Sequence, residues 1–309
     1  MCSLRHVPVL TKEVIRYLKI KPQGIYVDAT LGGGGHTEAI LKCLKQGGCL
    51  YSFDQDPFAI NYCKQKLHQY NNLILVNNNF CNLAEEMAKR QVKGIDGIVF
   101  DLGLSSFQID NSQRGFSYLK DAPLDMRMNP HQKLTAQMIL NHYDLKTLTN
   151  IFWSYGGETK ANIIAKAIMK ARPLKTTLEL VRLIDRYYPF YVYRRKGHSA
   201  KRIFQALRVE VNQELWCLKK SLQQSLSLLN KYGTIVVISF NSLEDRLVKT
   251  FFKQHSKYVF PPKVPFIEKE LPLSILTVIN KKVVLPSLEE LQTNKRSHSA
   301  KLRAALKNV

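Results

Sequence analysis

Acids and glycines at the ends of short apolar runs are the residues in this chain best placed to do chemistry. Residues 25–36 read Ile-Tyr-Val-Asp-Ala-Thr-Leu-Gly-Gly-Gly-Gly-His, a strand-prone run closed by Asp28 and followed by four glycines. Strand, glycine turn and helix together form the ligand-binding start of an open α/β sheet: glycines let a backbone approach its ligand closely, and the helix start offers free N–H groups. The dinucleotide pattern G-x-G-x-x-G fails, because its last glycine would fall at Thr37 or Glu38. Asp28 suits a ligand carrying cationic groups. S-adenosylmethionine, with an ammonium, a sulfonium and no phosphate, fits that requirement. Asp54 closes the next apolar run, 20 residues after Gly34, where a carboxylate accepts hydrogen bonds from ribose hydroxyls. That feature serves nicotinamide and methyl-donor sites equally. Phe80, after the third run, suits stacking on an adenine and suits a core position equally well. Asp101 closes the fourth run.

The elements that must position these residues follow from periodicity. Apolar runs at 25–27, 49–53, 73–76 and 95–100 read as strands, and the segments 11–18, 38–45, 57–68 and 81–90 read as helices. Thr11 is the expected N-cap of the first helix. This alternation predicts an α/β fold, a doubly wound, mostly parallel sheet with acids at the strand ends. The pattern breaks over 101–128, which shows no period, and becomes helical at 134–141, 145–153, 160–171 and 177–187. A helix over 209–229, a strand over 234–240 and a helix over 242–252 capped by Ser242 restore the α/β pattern. Residues 256–272 read as loop, and 275–279 and 283–284 as strand-like. The expected organisation is therefore a sheet domain at 1–110 and 206–309 interrupted by a helical domain at 111–205. Residues 299–306 have helix propensity.

The formal net charge is +22, from 46 Lys+Arg against 24 Asp+Glu, which points to a polyanionic partner, most simply nucleic acid. Arg194, Arg195, Lys196 and Arg202 cluster among Tyr187, Tyr188, Tyr191, Tyr193 and Phe204. Cations hold phosphates and aromatic faces stack unpaired bases, so this cluster is a candidate RNA contact. The six cysteines form no C-x-x-C pair and read as reduced thiols of a cytoplasmic protein. His36 and His198 have no second ligand at metal spacing, so no metal is expected. No apolar run approaches the ~18 residues of a membrane span, and no signal-peptide core precedes residue 20.

Longer motifs sharpen this reading. Leu31-Gly-Gly-Gly-Gly-His36, the segment from Asp101-Leu-Gly-Leu-Ser-Ser-Phe-Gln to Asp110, Arg114-Gly-Phe-Ser, Pro123-Leu-Asp-Met-Arg-Met128, Phe204-Gln-Ala-Leu-Arg-Val-Glu-Val-Asn212 and Ile238-Ser-Phe-Asn-Ser-Leu-Glu-Asp-Arg246 follow one another along the chain. With the N-terminal His6-x-Pro-Val-Leu10, they resemble the RsmH (MraW) family over nearly the whole length. Enzymes of that family methylate the exocyclic N4 amine of a cytosine in small-subunit (16S) ribosomal RNA, using S-adenosylmethionine. The resemblance implies donor contacts at Gly34, Gly35, His36, Asp54, Phe80, Asp101 and Gln108, a helical insertion between strands four and five, and a C-terminal edge strand in place of the helix that propensity favours. Arg114, Arg127, Arg202 and Arg208 lie inside the resembling motifs and join the candidate RNA contacts. Asp101 has a second expected role, as an acceptor beside the target amine. The chain departs from the family pattern at Phe107, Gly157, Thr159, Ser199, Lys201, Asn241, Lys295 and Ser297-His298. Alternative readings are a non-catalytic RNA-binding assembly factor and a DNA cytosine-N4 methyltransferase. The latter lacks its Pro-Pro-aromatic motif here, since Leu-Gly-Leu follows Asp101. The partner implied is ribosomal RNA within the small subunit. Oligomeric state is open, a dimer included.

Overall fold

The computed structural model describes residues 8–188, 198–256 and 274–309. Two compact units emerge, one from residues 1–103 with 215–309, the other from 104–214.

The first unit is a seven-stranded sheet. Its strands are β1 (Ile25–Asp28), β2 (Cys49–Asp54), β3 (Leu73–Asn77), β4 (Ile95–Asp101), β5 (Leu229–Ser239), β6 (Leu276–Val278) and β7 (Lys301–Lys307). They lie in the order β3-β2-β1-β4-β5-β7-β6. The first five pair in parallel, and β7 runs antiparallel to both β5 and β6. The order reverses between β1 and β4, and such a switch point opens a crevice at the carboxyl ends of the strands. Alternate side chains enter opposite layers. Val27, Phe53, Phe100 and Val237 pack with Leu83, Met87, Leu222 and Phe252 on one face. Tyr26, Leu50, Val99 and Val236 pack with Val14, Leu18 and Ile40 on the other. Both faces are covered, which explains the apolar runs 98–100 within β4 and 235–238 within β5.

In this unit the helices are α1 (Thr11–Leu18), α2 (Gly35–Leu41), α3 (Pro57–Lys66) and α4 (Leu83–Lys89). The second unit is helical, with α5 (Ser106–Asp110), α6 (Ala136–His142), α7 (Leu145–Ser154), α8 (Ala161–Ala171), α9 (Thr177–Asp185) and α10 (Lys201–Asn212). Back in the first unit, α11 (Glu214–Leu228), α12 (Ser242–His255) and α13 (Leu288–Thr293) complete the set.

Several expectations are corrected. Residues 209–229 are not one helix: Gln213 takes φ 49° and separates α10 from α11. Ile203, Phe204, Ala206 and Leu207 of α10 are buried in the core of the second unit. The units therefore divide after 103 and 214, not after 110 and 205. The aperiodic stretch hides α5, whose capping box pairs Ser105 with Gln108. Thr11 does not cap α1, because Leu10 holds the cap position and the Thr11 hydroxyl donates to the Pro8 carbonyl at 2.9 Å. Asn241, not Ser242, caps α12: its side chain accepts from the amides of Leu243 and Glu244, and Glu244 reaches back. The C-terminal segment is a strand despite its alanines, as the resemblance implies, but it is not at the edge. It sits between β5 and β6, with Leu302, Ala304 and Ala305 wholly buried. Ladder pairing and burial there override helix propensity.

Candidate active site

Gly34, Gly35, His36, Asp54, Phe80 and Asp101 all belong to the carboxyl-end region of the sheet, on β1, β2, β3, β4 and the turns that follow. The glycine turn is tied down from below. Asp28 is wholly buried and accepts from the Thr37 hydroxyl at 2.7 Å and the Thr30 amide at 3.0 Å. Thr37 also lies 3.0 Å from the Ser52 hydroxyl. Asp28 is therefore a fastener joining β1, β2 and α2, and it does not face a cationic ligand as its position at the strand end suggests. Burial pushes its carboxyl above the usual range, against the pull of His36 and the Thr37 bond.

Above this fastener the turn has no room for side chains. Gly34 takes φ +76°, and a Cβ there would meet the Cys63 sulfur at 2.9 Å. A Cβ on Gly35 would meet the Pro8 ring at 2.7 Å. Lys66 of α3 donates to the Gly33 carbonyl at 2.9 Å. Asp54 accepts the Gly32 amide at 2.9 Å on one oxygen and the Asp56 amide at 2.9 Å on the other. Burial nevertheless pushes the Asp54 carboxyl from its ordinary 3.8 up to about 6. Phe80 opens a short turn after β3, meets Phe100 edge-on at 5.7 Å, and has its carbonyl held by the Ser221 hydroxyl at 2.6 Å. It is only partly buried, so both of its expected roles, core packing and an apolar ring at the strand end, are physically open to it.

Asp101 and His36 face each other across the switch point. The Asp101 amide is fixed by the Thr30 hydroxyl at 2.7 Å. Its Oδ2 lies 3.4 Å from Nε2 of His36, whose side chain is only 4% exposed. The contact is at the long end for a hydrogen bond. Burial opposes a charged imidazole, but Asp101 first, then Asp28 and Glu290, outweigh it and raise His36 above its usual value. Oδ1 of Asp101 and both ring nitrogens of His36 are buried and have no hydrogen-bond partner among the described residues. Buried polar atoms left open at a strand end mark a place for a ligand. A glycine cradle that a Cβ would fill, an acceptor on β2 and an acceptor on β4 together fit a donor such as S-adenosylmethionine.

The remaining candidates lie in the second unit. Gln108 is buried, and its side-chain oxygen accepts the Ser105 amide at 3.1 Å. Arg114 donates to the carbonyls of Arg127 and Met128, both at 2.8 Å. Arg127 grips Asp125 through two nitrogens at 2.8 and 2.7 Å and reaches the carbonyls of Pro130 and Gln132. Arg208 forms a two-point pair with Glu214 at 2.8 and 2.9 Å. These three arginines are internal braces. Arg202 is exposed. Arg194, Arg195 and Lys196 lie outside the described residues.

The family model described as the MraW methylase family matches residues 3–308. The chain belongs to that family. A relative from Onion yellows phytoplasma (strain OY-M), named "Ribosomal RNA small subunit methyltransferase H", is 56% identical over 98% of this chain and 97% of its own. Proteins of the same name from Aster yellows witches'-broom phytoplasma (strain AYWB) and, as "H 1", from Acholeplasma laidlawii (strain PG-8A) are 53% and 50% identical, each over at least 98% of this chain and 99% of its own.

Within this MraW-family chain, three departures have local structural accounts. Asn241 supplies the α12 cap, the Ser199 hydroxyl donates to Asp185 at 2.7 Å, and Gly157 adopts φ +61°. Sequence reasoning missed Thr30, Thr37, Ser52, Lys66 and Glu290. Thr30 carried a signal, since it stands two residues after Asp28 as the donor of an Asx turn. Lys66 and Glu290 carried none.

Proposed function

We propose that this chain transfers a methyl group from S-adenosylmethionine to the exocyclic N4 amine of a cytosine in small-subunit ribosomal RNA. The family membership and full-length relatives support the reaction class. Among the structural observations, the buried Asp101 oxygen beside the glycine turn, which has no partner among the described residues, carries the reading furthest. The donor, when bound, supplies a methyl already activated by its sulfonium, so the reaction as written requires no metal and no covalent enzyme intermediate. The difficulty lies with the nucleophile, whose lone pair is delocalised into the ring. As the N–C bond forms and the C–S bond breaks toward sulfur, positive charge develops on the amine. Asp101 is suited to accept a hydrogen bond from that amine and to take up its proton. His36 holds the other Asp101 oxygen by charge.

RNA is held by the second unit in this reading, through Arg202 and the cluster Arg194, Arg195 and Lys196. Arg114, Arg127 and Arg208 shape the loops and are not themselves phosphate contacts. Gln108 remains a proposed donor contact. Among the described residues no helix is long and apolar enough to cross a membrane, and a ribosomal substrate places the work in the cytoplasm.

The test is to incubate the protein with labelled S-adenosylmethionine and either small subunits lacking the modification or naked ribosomal RNA, then to map the label by mass spectrometry. Label on a single cytosine N4 supports the proposal. Donor binding with no label on either substrate favours the non-catalytic assembly factor instead.

A further inference from the structure

Glu290 lies far along the chain from the glycine turn yet touches its frame. Its Oε1 accepts the Leu10 amide at 2.8 Å across 280 residues of sequence. Leu10 takes a left-handed φ of 53°, and the Thr11 hydroxyl holds the Pro8 carbonyl at 2.9 Å. The Pro8 ring in turn lies where a Cβ on Gly35 would go. Residues 8–10 are thus pinned by Glu290 against the first residue of α2, beside His36. Burial of Val9 and Leu10 leaves this arm little freedom on its other side.

The electrostatics run the same way. Three carboxylates act on His36 from different elements: Asp101 from β4, Asp28 from β1 and Glu290 from α13. Among the described residues only Asp101 makes an ion pair with the ring, and the His36 nitrogens have no hydrogen-bond partner there.

We propose that Glu290 is a positioning residue for the donor site: it fixes the 8–10 arm over Gly35 through the Leu10 amide, and its charge helps hold His36 against Asp101. This rests on the reading of the glycine turn as the donor cradle. The two contributions separate by substitution. Glu290→Gln keeps an oxygen for the Leu10 amide and removes the charge. Glu290→Ala removes both.

The test uses the full chain, first without donor. His36 is titrated by NMR with labelled imidazoles, its signal assigned by loss in His36→Asn. In Glu290→Gln its midpoint should fall below the wild-type value. In Glu290→Ala the Leu10 amide should exchange with solvent at least about tenfold faster, and the donor dissociation constant should rise about tenfold, with RNA affinity unchanged. An unmoved His36 midpoint in Glu290→Gln overturns the charge role even if Glu290→Ala fails to fold. Unchanged Leu10 exchange, or donor affinity within twofold of wild type in folded Glu290→Ala, overturns the positioning role. Should the unaltered protein bind no donor, the proposed function fails while the His36 and Leu10 measurements still decide this proposal.

Discussion

Asp54 should make donor binding depend on pH, with a sign fixed by its surroundings. Burial pushes its carboxyl from 3.8 to about 6, even though both oxygens accept backbone amides. Asp56 and Asp28 add repulsion in the same direction. A raised folded value means that the folded protein holds this proton more tightly than the unfolded chain does. Asp54 therefore favours the donor-free fold at low pH, and that contribution is lost as pH rises through the window between 3.8 and about 6. Donor binding works the other way, because ribose hydroxyls donate best to the charged carboxylate. Hydrogen bonds to a charged acceptor contribute about 1.5–3 kcal/mol, or roughly ten- to hundredfold in affinity.

With a midpoint near 6, only about one-tenth of the sites carry the charge at a pH one unit lower, so donor affinity should fall about tenfold there relative to about pH 8. Calorimetry in buffers of different ionisation enthalpy reads both the affinity and the proton released on binding. Asp54→Ala should weaken binding ten- to hundredfold near pH 8 and flatten the acid limb. Wild-type affinity in Asp54→Ala, or an acid limb of the same depth, would refute the assignment of Asp54 to the ribose.

Four further outcomes follow from the same geometry. Asp101→Asn should lower the single-turnover rate at saturating donor by about tenfold or more, at least ~1.4 kcal/mol in barrier; a change confined to the donor dissociation constant would make Asp101 a binding residue only. Neutralising Arg194, Arg195, Lys196 and Arg202 together should flatten the salt dependence of RNA affinity without touching donor affinity, and a wild-type slope would put the RNA surface elsewhere. Arg127→Ala should instead lower thermal stability and leave that slope alone, because its guanidinium is spent on Asp125 and two carbonyls. Asn241→Ala should cost about 1 kcal/mol through the lost α12 cap, read as a lower denaturation midpoint; an unchanged midpoint would show the cap to be dispensable.

The sheet was legible because buried parallel strands are written as apolar runs, and β1, β2 and β4 each end at an acid that the structure keeps at the strand end. The glycine turn was legible because so many consecutive glycines are unfavourable without a ligand or a close approach, and the structure supplies the close approaches at Cys63 and Pro8. What was hidden depends on partners far away in sequence. Nothing local distinguishes Asp28, a wholly buried fastener for Thr37, from Asp54 or Asp101, which are only partly buried. Nothing local breaks the helical pattern at Gln213, an ordinary helix former that nonetheless takes a left-handed angle. Glu290 reads as one more surface acid until its bond to Leu10 is seen.

The arginines change how the charge of +22 is read. Arg114, Arg127 and Arg208 stand in the motifs that resemble the family most closely, and a basic motif residue in a proposed RNA enzyme suggests a phosphate contact. Their donors go instead to carbonyls and carboxylates of their own unit. A guanidinium matches those acceptors in a fixed fork, whereas lysine offers a mobile point charge. Exposed cations of the second unit, Lys133, Lys166, Lys170 and Lys175 with Arg202, are left for the long-range attraction of a polyanion. That attraction is independent of sequence and fades with salt. Under the proposed function, selecting one cytosine among many falls to the shape of the loops that the arginine braces hold, such as the 125–132 segment gripped by Arg127. Under the proposed function, the braces and the surface lysines would divide the work: the lysines gather RNA, and the arginines keep rigid the surface that chooses among its bases.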